Sequence, residues 1–156
     1  MDIADAESRL KVILLRDGIP AALAFLNTTT RHRYTAMHRF DAGTLRTLHF
    51  FDRDDPAAGP GDDLPVEATY CVYVRDAGGP FRLDDALTDM RVNGHPKQAE
   101  VRAYCGVPLI DEEGKMFGTL CHFDTEPTPT DSETVTLMES FGPFLRMCDR
   151  VRKMLD

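Results

Sequence analysis

VRAYCGVPLIDEEGKMFGTLCHFD, residues 101–124, consists of two apolar runs with a charged break between them. In the first run Val101, Ala103, Cys105, Val107 and Leu109 alternate with Arg102, Tyr104, Gly106 and Pro108. In the second, Phe117, Thr119, Cys121 and Phe123 share one side. A period of two is the signature of a strand. The break, Asp111 to Lys115, supplies charges that stay in water and, in Gly114, a residue free to take positive φ, so an antiparallel hairpin is the simplest connection. Few charges fall on either face of the two strands. That pattern predicts a sheet covered on both sides, by helices on one and a lid on the other, and a covered sheet can enclose a pocket.

Upstream, Ile3, Ala6, Leu10, Ile13 and Leu14 recur at helical spacing and Gly18 ends the run, predicting a helix over 3–17. Pro20 suits a first helical turn, and a second helix continues to the stop at Asn27-Thr28-Thr29-Thr30. Alternation over 33–40 and 44–51, with Asp41-Ala42-Gly43 between them, predicts two further strands. The segment FDRDDPAAGPGDDLP (51–65) cannot bury apolar area and reads as an exposed loop or flap. Its Asp52, Asp54 and Asp55 begin like a calcium loop, but the central glycine and terminal glutamate are missing at the required spacing. Residues 65–77 read as a short helix stopped by Gly78-Gly79, with a strand over 70–74 as the competing reading. Residues 81–83 form a short strand, and 84–96 are irregular with one helical turn. After the connector holding Pro127 and Pro129, a helix capped by Thr130 or Asp131 runs over 131–155, with a kink or split near Glu139 imposed by Pro143.

The chain has 156 residues, 42% of them apolar, enough for one domain with a core. Its 26 acidic against 18 basic residues give a net charge of −8, which repels phosphate backbones and anionic lipid and argues against nucleic-acid binding. No apolar run approaches the roughly 20 residues of a membrane span, and the start lacks the pattern of a secretion signal. The expected location is the cytoplasm, and the four cysteines, without a CxxC pair, suit reduced core thiols.

The order of these segments resembles the GAF domain, a small sensory module of bacterial kinases, cyclases and transcription regulators. The resemblance rests on VRAYCGVPL, the acidic-glycine turn and FGTLCHFD. Before them come EATYCVYV (67–74), then Pro80, Phe81, Leu83, Asp84 and Asp85, then Asp89, Arg91 and Gly94-His95-Pro96. It implies an α/β (α+β) fold with a central, mainly antiparallel sheet of five to six strands, terminal helices on one face, and pocket-covering loops and short helices on the other. It also implies a single domain over 1–156, with its core at about 18–150 and terminal helices at 3–17 and 131–155. In the family such a module binds a small molecule, under a segment corresponding to 84–96, and related modules pair. With no kinase, cyclase or DNA-binding partner domain in the chain, a stand-alone cytoplasmic sensor acting as a homodimer is expected. Seams on the terminal helices fit that dimer: Ile3, Ala6, Leu10 and Ile13 on the first, Phe144, Cys148, Val151 and Leu155 on the last.

Tyr70, Cys71, Asp84, Asp85, Arg91, Arg102 and Tyr104 are the candidate ligand-binding residues. Two carboxylates, two guanidinium groups and a phenol against apolar walls can orient a small polar or zwitterionic molecule. The competing account gives Asp84 or Asp85 to a turn and Arg91 to a surface ion pair. Cys71 also stands where free methionine-(R)-sulfoxide reductases, an enzyme branch of the family, place a reactive cysteine, which makes a thiol-based reductase the alternative function. The resolving thiol of that branch is missing before the hairpin, and Cys105 would serve only if its strand turned it inward. A third reading is an interaction module without a ligand. Cys121 and His122 are adjacent on a strand, point to opposite faces and cannot share a metal. His32, His38, His49 and His95 show no metal-ligand spacing, and no phosphate-binding loop occurs. Neither a metal nor a cofactor is expected.

Overall fold

The hairpin forms as its alternation requires. In the computed structural model, which describes the backbone of residues 1–155 and the side chains of residues 1–148, β5 (Ala103–Ile110) pairs antiparallel with β6 (Met116–Asp124), from Ala103↔Asp124 to Ile110↔Met116. The Asp111 carboxylate closes the turn by accepting from the backbone N–H groups of Glu113 and Lys115 at 2.9 Å, while Gly114 takes φ 80°.

Ahead of the hairpin come α1 (Ile3–Asp17), α2 (Ile19–Asn27), β1 (Tyr34–Asp41), β2 (Thr44–Asp52), β3 (Leu64–Pro65), α3 (Cys71–Ala77) and β4 (Phe81–Leu83); α4 (Ser132–Leu155) follows it. The six strands form one antiparallel sheet in the order β3-β2-β1-β6-β5-β4. The hairpin therefore meets the N-terminal strands through β6 and β1, which pair from Tyr34↔Phe123 to Arg39↔Gly118. Successive residues then serve two cores. Met37, Cys105, Val107, Leu109 and Leu120 pack against the terminal helices with Leu10, Leu23, Leu26, Leu137 and Phe141. Ala36, Tyr104 and Cys121 face the other way, toward Val66, Cys71, Val74, Leu83 and Val92. The fold is the α/β sheet with helices on one face and a covering segment on the other.

Local chemistry sets the helix limits. Asp2 caps α1 by accepting from the Asp5 N–H, Gly18 closes it at φ 94°, and Asp131 caps α4 by accepting from the N–H of Thr134. Among the described residues no helix is long and apolar enough to cross a membrane.

Three expectations are corrected. Residues 65–77 are not one helix: a 3₁₀ turn (Val66–Ala68) is cut from α3 by Thr69, whose backbone is extended. Pro143 does not split the last helix; it deletes only the bond to the Glu139 carbonyl, and both residues lie on the exposed side, where water can serve that oxygen. The α1 seam is not a free surface, because Leu10 is wholly buried with Leu14 in the core that α4 completes. Burial of one leucine contributes about 2 kcal/mol, so the stripe's own domain is sufficient reason for it. The side chains of Val151 and Leu155 lie outside the described residues.

Candidate functional site

On the sheet face away from α1 and α4, the strands present His38 from β1, Tyr104 from β5, and Thr119, Cys121 and Phe123 from β6. His38 stands at an irregularity where the β1–β2 register shifts between Met37 and His38. Gly118 on β6 makes its placement possible, since a Cβ there would overlap the His38 carbonyl oxygen. Gly106 plays the same part for Tyr104, whose ring lies back over the strand where any side chain at 106 would sit.

The first residue of α3 drops a thiol onto this face. Cys71 Sγ lies 3.3 Å from the Tyr104 hydroxyl and 3.2 Å from Thr119 Oγ1. One donor atom each from Cys71, Cys121 and His38 lies within 4.8 Å of the others, and all three residues are buried. Thr47 Oγ1 is 3.1 Å from His38 Nδ1 and holds the ring. Burial alone would raise the Cys71 thiol, but hydrogen bonding from Cys121, the field of His38 and the hydroxyls of Thr119 and Tyr104 outweigh it and hold it below the usual thiol range. Burial also keeps His38 below the ordinary histidine value, opposed by the field of Cys71. The same burial pushes Cys121 and the Tyr104 phenol well up.

Above these groups is a cavity of about 280 Å³. Tyr34, Phe50, Tyr70 and Phe123 wall it, Pro60, Gly61, Asp62 and Leu64 of the acidic loop close one side, and Lys97 stands on its border. Tyr34 stacks on Phe123 at 4.8 Å, and the Tyr70 hydroxyl donates to the Val101 carbonyl at 2.8 Å, fixing that ring.

The seven predicted residues are divided. Tyr70, Cys71 and Tyr104 line the cavity. Asp84, Asp85 and Arg91 border a separate, open cleft with Arg82, Thr88 and Asp89. Asp84 accepts from the Thr130 N–H at 3.3 Å, Arg91 pairs with Asp89 at 2.6 Å and lies over the Phe81 ring, and Asp85 binds Arg102 at 2.9 Å. The Asp89–Arg91 and Asp85–Arg102 pairs brace segment 84–102 internally, while Asp84 and Arg91 tie it to Thr130 and Phe81, so the expectation of one pocket gathering all seven is corrected. Cys105 is turned to the helices, 3.7 Å from Met138 Sδ, and burial pushes its thiol up to about 12. It cannot meet Cys71 across the sheet. Cys121 and His122 do point to opposite faces, as alternation requires, but Cys121 belongs to a group formed with His38 and Cys71 that spacing along the chain does not reveal.

The GAF domain family model matches residues 14–147. A curated protein named cyclic di-GMP phosphodiesterase, from Pseudomonas aeruginosa, is 33% identical over 82 residues, 50% of this chain and 14% of that protein. The chain thus spans about a seventh of that relative's length. Among solved structures, the GAF domain of an Acinetobacter phosphoenolpyruvate-protein phosphotransferase superposes with a TM-score of 0.76 at 11% identity, covering 98% of this chain and 96% of that one. A free methionine-R-sulfoxide reductase from Neisseria meningitidis, solved with its substrate, gives 0.74 at 15% identity, covering 99% and 92%. At such identities the likeness shows the fold alone. The match over residues 14–147, on the fold just described, places the chain in the GAF domain family.

Proposed function

We propose that the chain is a cytoplasmic sensory module, one domain over 1–156, that binds a small aromatic molecule in the cavity above Tyr104. The observation that carries this reading is the cavity's wall: the aromatic rings of Tyr34, Phe50, Tyr70 and Phe123 stand around a floor whose polar groups include His38, Cys71 and Tyr104, and such a wall with a small set of polar groups gives a ligand site both affinity and orientation. Tyr70, Cys71 and Tyr104 are the ligand-binding residues in this reading. The charges at 84, 85, 91 and 102 are scaffold, so the zwitterionic ligand expected from them is replaced by a flatter, less polar one. Screening by thermal shift tests the reading, since a ligand that binds only the folded chain must raise its midpoint.

A second copy completes the proposal. Val12, Leu15 and Met147 are exposed apolar side chains on α1 and α4, two helices that pack against each other, and in this reading a two-fold partner covers them. Leu10 takes no part in it. The alternative, a reductase of free methionine sulfoxide, draws on the proximity of Cys71 and Cys121, whose sulfur atoms lie within 4.8 Å of each other, and would use Cys121, not Cys105, as its resolving thiol.

A further inference from the structure

We propose that His38, Cys71 and Cys121 form a binding site for one thiophilic divalent cation of the zinc class, with a fourth coordination position open to the cavity. The residues come from β1, α3 and β6, and their donor atoms lie within 4.8 Å of one another. Zinc–sulfur bonds of about 2.3 Å and zinc–nitrogen bonds of about 2.0 Å at tetrahedral angles separate donors by roughly 3.5–3.8 Å. The gap to close is therefore at most about 1.3 Å, the scale of small χ1 rotations of the two cysteines.

The donor set selects the ion. Two thiols and an imidazole disfavour magnesium and calcium, which take oxygen, and favour zinc, cobalt and cuprous copper. Binding releases both thiol protons, and two thiolates with a neutral imidazole bring a divalent cation to net neutrality. A neutral centre is what a fully buried location tolerates. The second sphere is in place. Thr47 engages His38 Nδ1, leaving Nε2 for the metal, and Thr119 and Tyr104 can each donate to Cys71 Sγ. Entry is through the cavity, which all three donors line and whose acidic loop, with Asp62 at its wall, draws cations. Among the described residues this is the one group of three such donors with this proximity. The inference uses the cavity as an entry path and stands apart from the identity of any organic ligand.

The test is titration of the reduced, chelator-stripped full chain with cobalt(II), read by absorption. We expect thiolate-to-cobalt charge transfer and the intense visible bands of tetrahedral cobalt, saturating at one equivalent and bleached by zinc. Cys71→Ser and Cys121→Ser should each lose the charge-transfer intensity expected of two thiolates, Thr47→Val should weaken binding about tenfold, and Cys105→Ser, on the opposite face, should match wild type. Circular dichroism checks that each variant folds, and native mass spectrometry of the wild type with zinc counts the ion independently. Tyr70→Ala removes part of the aromatic wall and keeps all three donors, so it should keep the cobalt spectrum, and failure of the small-molecule reading would leave this one standing. Absence of the charge-transfer band in reduced wild-type protein, or its survival in the Cys71→Ser/Cys121→Ser double variant, overturns the proposal.

Discussion

Cys71 Sγ lies 3.2 Å from Thr119 Oγ1, tying the first turn of α3 to the middle of β6. The bond joins the covering segment to the centre of the sheet.

Gly118→Ala should be among the most damaging single-methyl changes in the chain. The new Cβ meets the His38 backbone, which has no rotamer by which to yield, and β1 must separate from β6. A loss of about 3 kcal/mol in denaturant unfolding is expected. A loss below about 0.5 kcal/mol would mean that the two strands are not held so close.

The hairpin and the helix over 3–17 are legible in the sequence because both rest on local periodicity: alternation over 101–124, and Ile3, Ala6, Leu10 and Ile13 on one helix face. The site is not, because it is made by strand order. His38 and Cys121 meet only because β6 returns to pair with β1, and no spacing rule anticipates a pairing across that distance. The charged residues mislead for the complementary reason. Asp85 and Arg102 look like ligand groups until the fold places them 2.9 Å from each other. The terminal-helix seam is likewise real as a stripe, but periodicity does not say whether a stripe meets its own domain or another copy.

Leu10→Ala and Leu15→Glu separate these two roles. Leu10 is buried, so truncation should cost about 2–5 kcal/mol and Leu10→Glu should fail to fold. Leu15 is 84% exposed, so Leu15→Glu should fold normally and convert a dimer to a monomer in light scattering. Wild-type protein that is monomeric at high micromolar concentration would remove the dimer from the account.

Acid should destabilise the fold through His32, which is buried with Thr30 Oγ1 at 2.6 Å and its ring stacked 6.0 Å from that of His122. Burial, reinforced by Arg53 and Arg31 and opposed by Asp124 and Asp84, lowers its pKa from 6.5 to about 4. The unfolded chain then holds more protons between those values, so the contribution is complete above pH 6.5 and is lost as pH falls through about 4. The loss is about 3 kcal/mol, and His32→Asn should show a shallower fall in stability between pH 7 and pH 4. Parallel curves for the two proteins would assign the acid sensitivity elsewhere.

Free methionine sulfoxide offered with dithiothreitol should not be turned over above the background of Cys71→Ser. The acceptor of the sulfoxide oxygen would have to be a thiol with little exposure, under Tyr104 and Thr119. Turnover that depends on both Cys71 and Cys121 would make the protein a reductase instead of a sensor.

Native mass spectrometry after incubation with a panel of small aromatic compounds tests the central claim, that the cavity above Tyr104 receives a ligand. The account predicts at least one compound retained at one per chain, lost in Tyr70→Ala and kept in Arg102→Ala, whose guanidinium serves Asp85 and not the cavity. A panel from which wild-type protein retains nothing, or an adduct held equally by Tyr70→Ala, would contradict it.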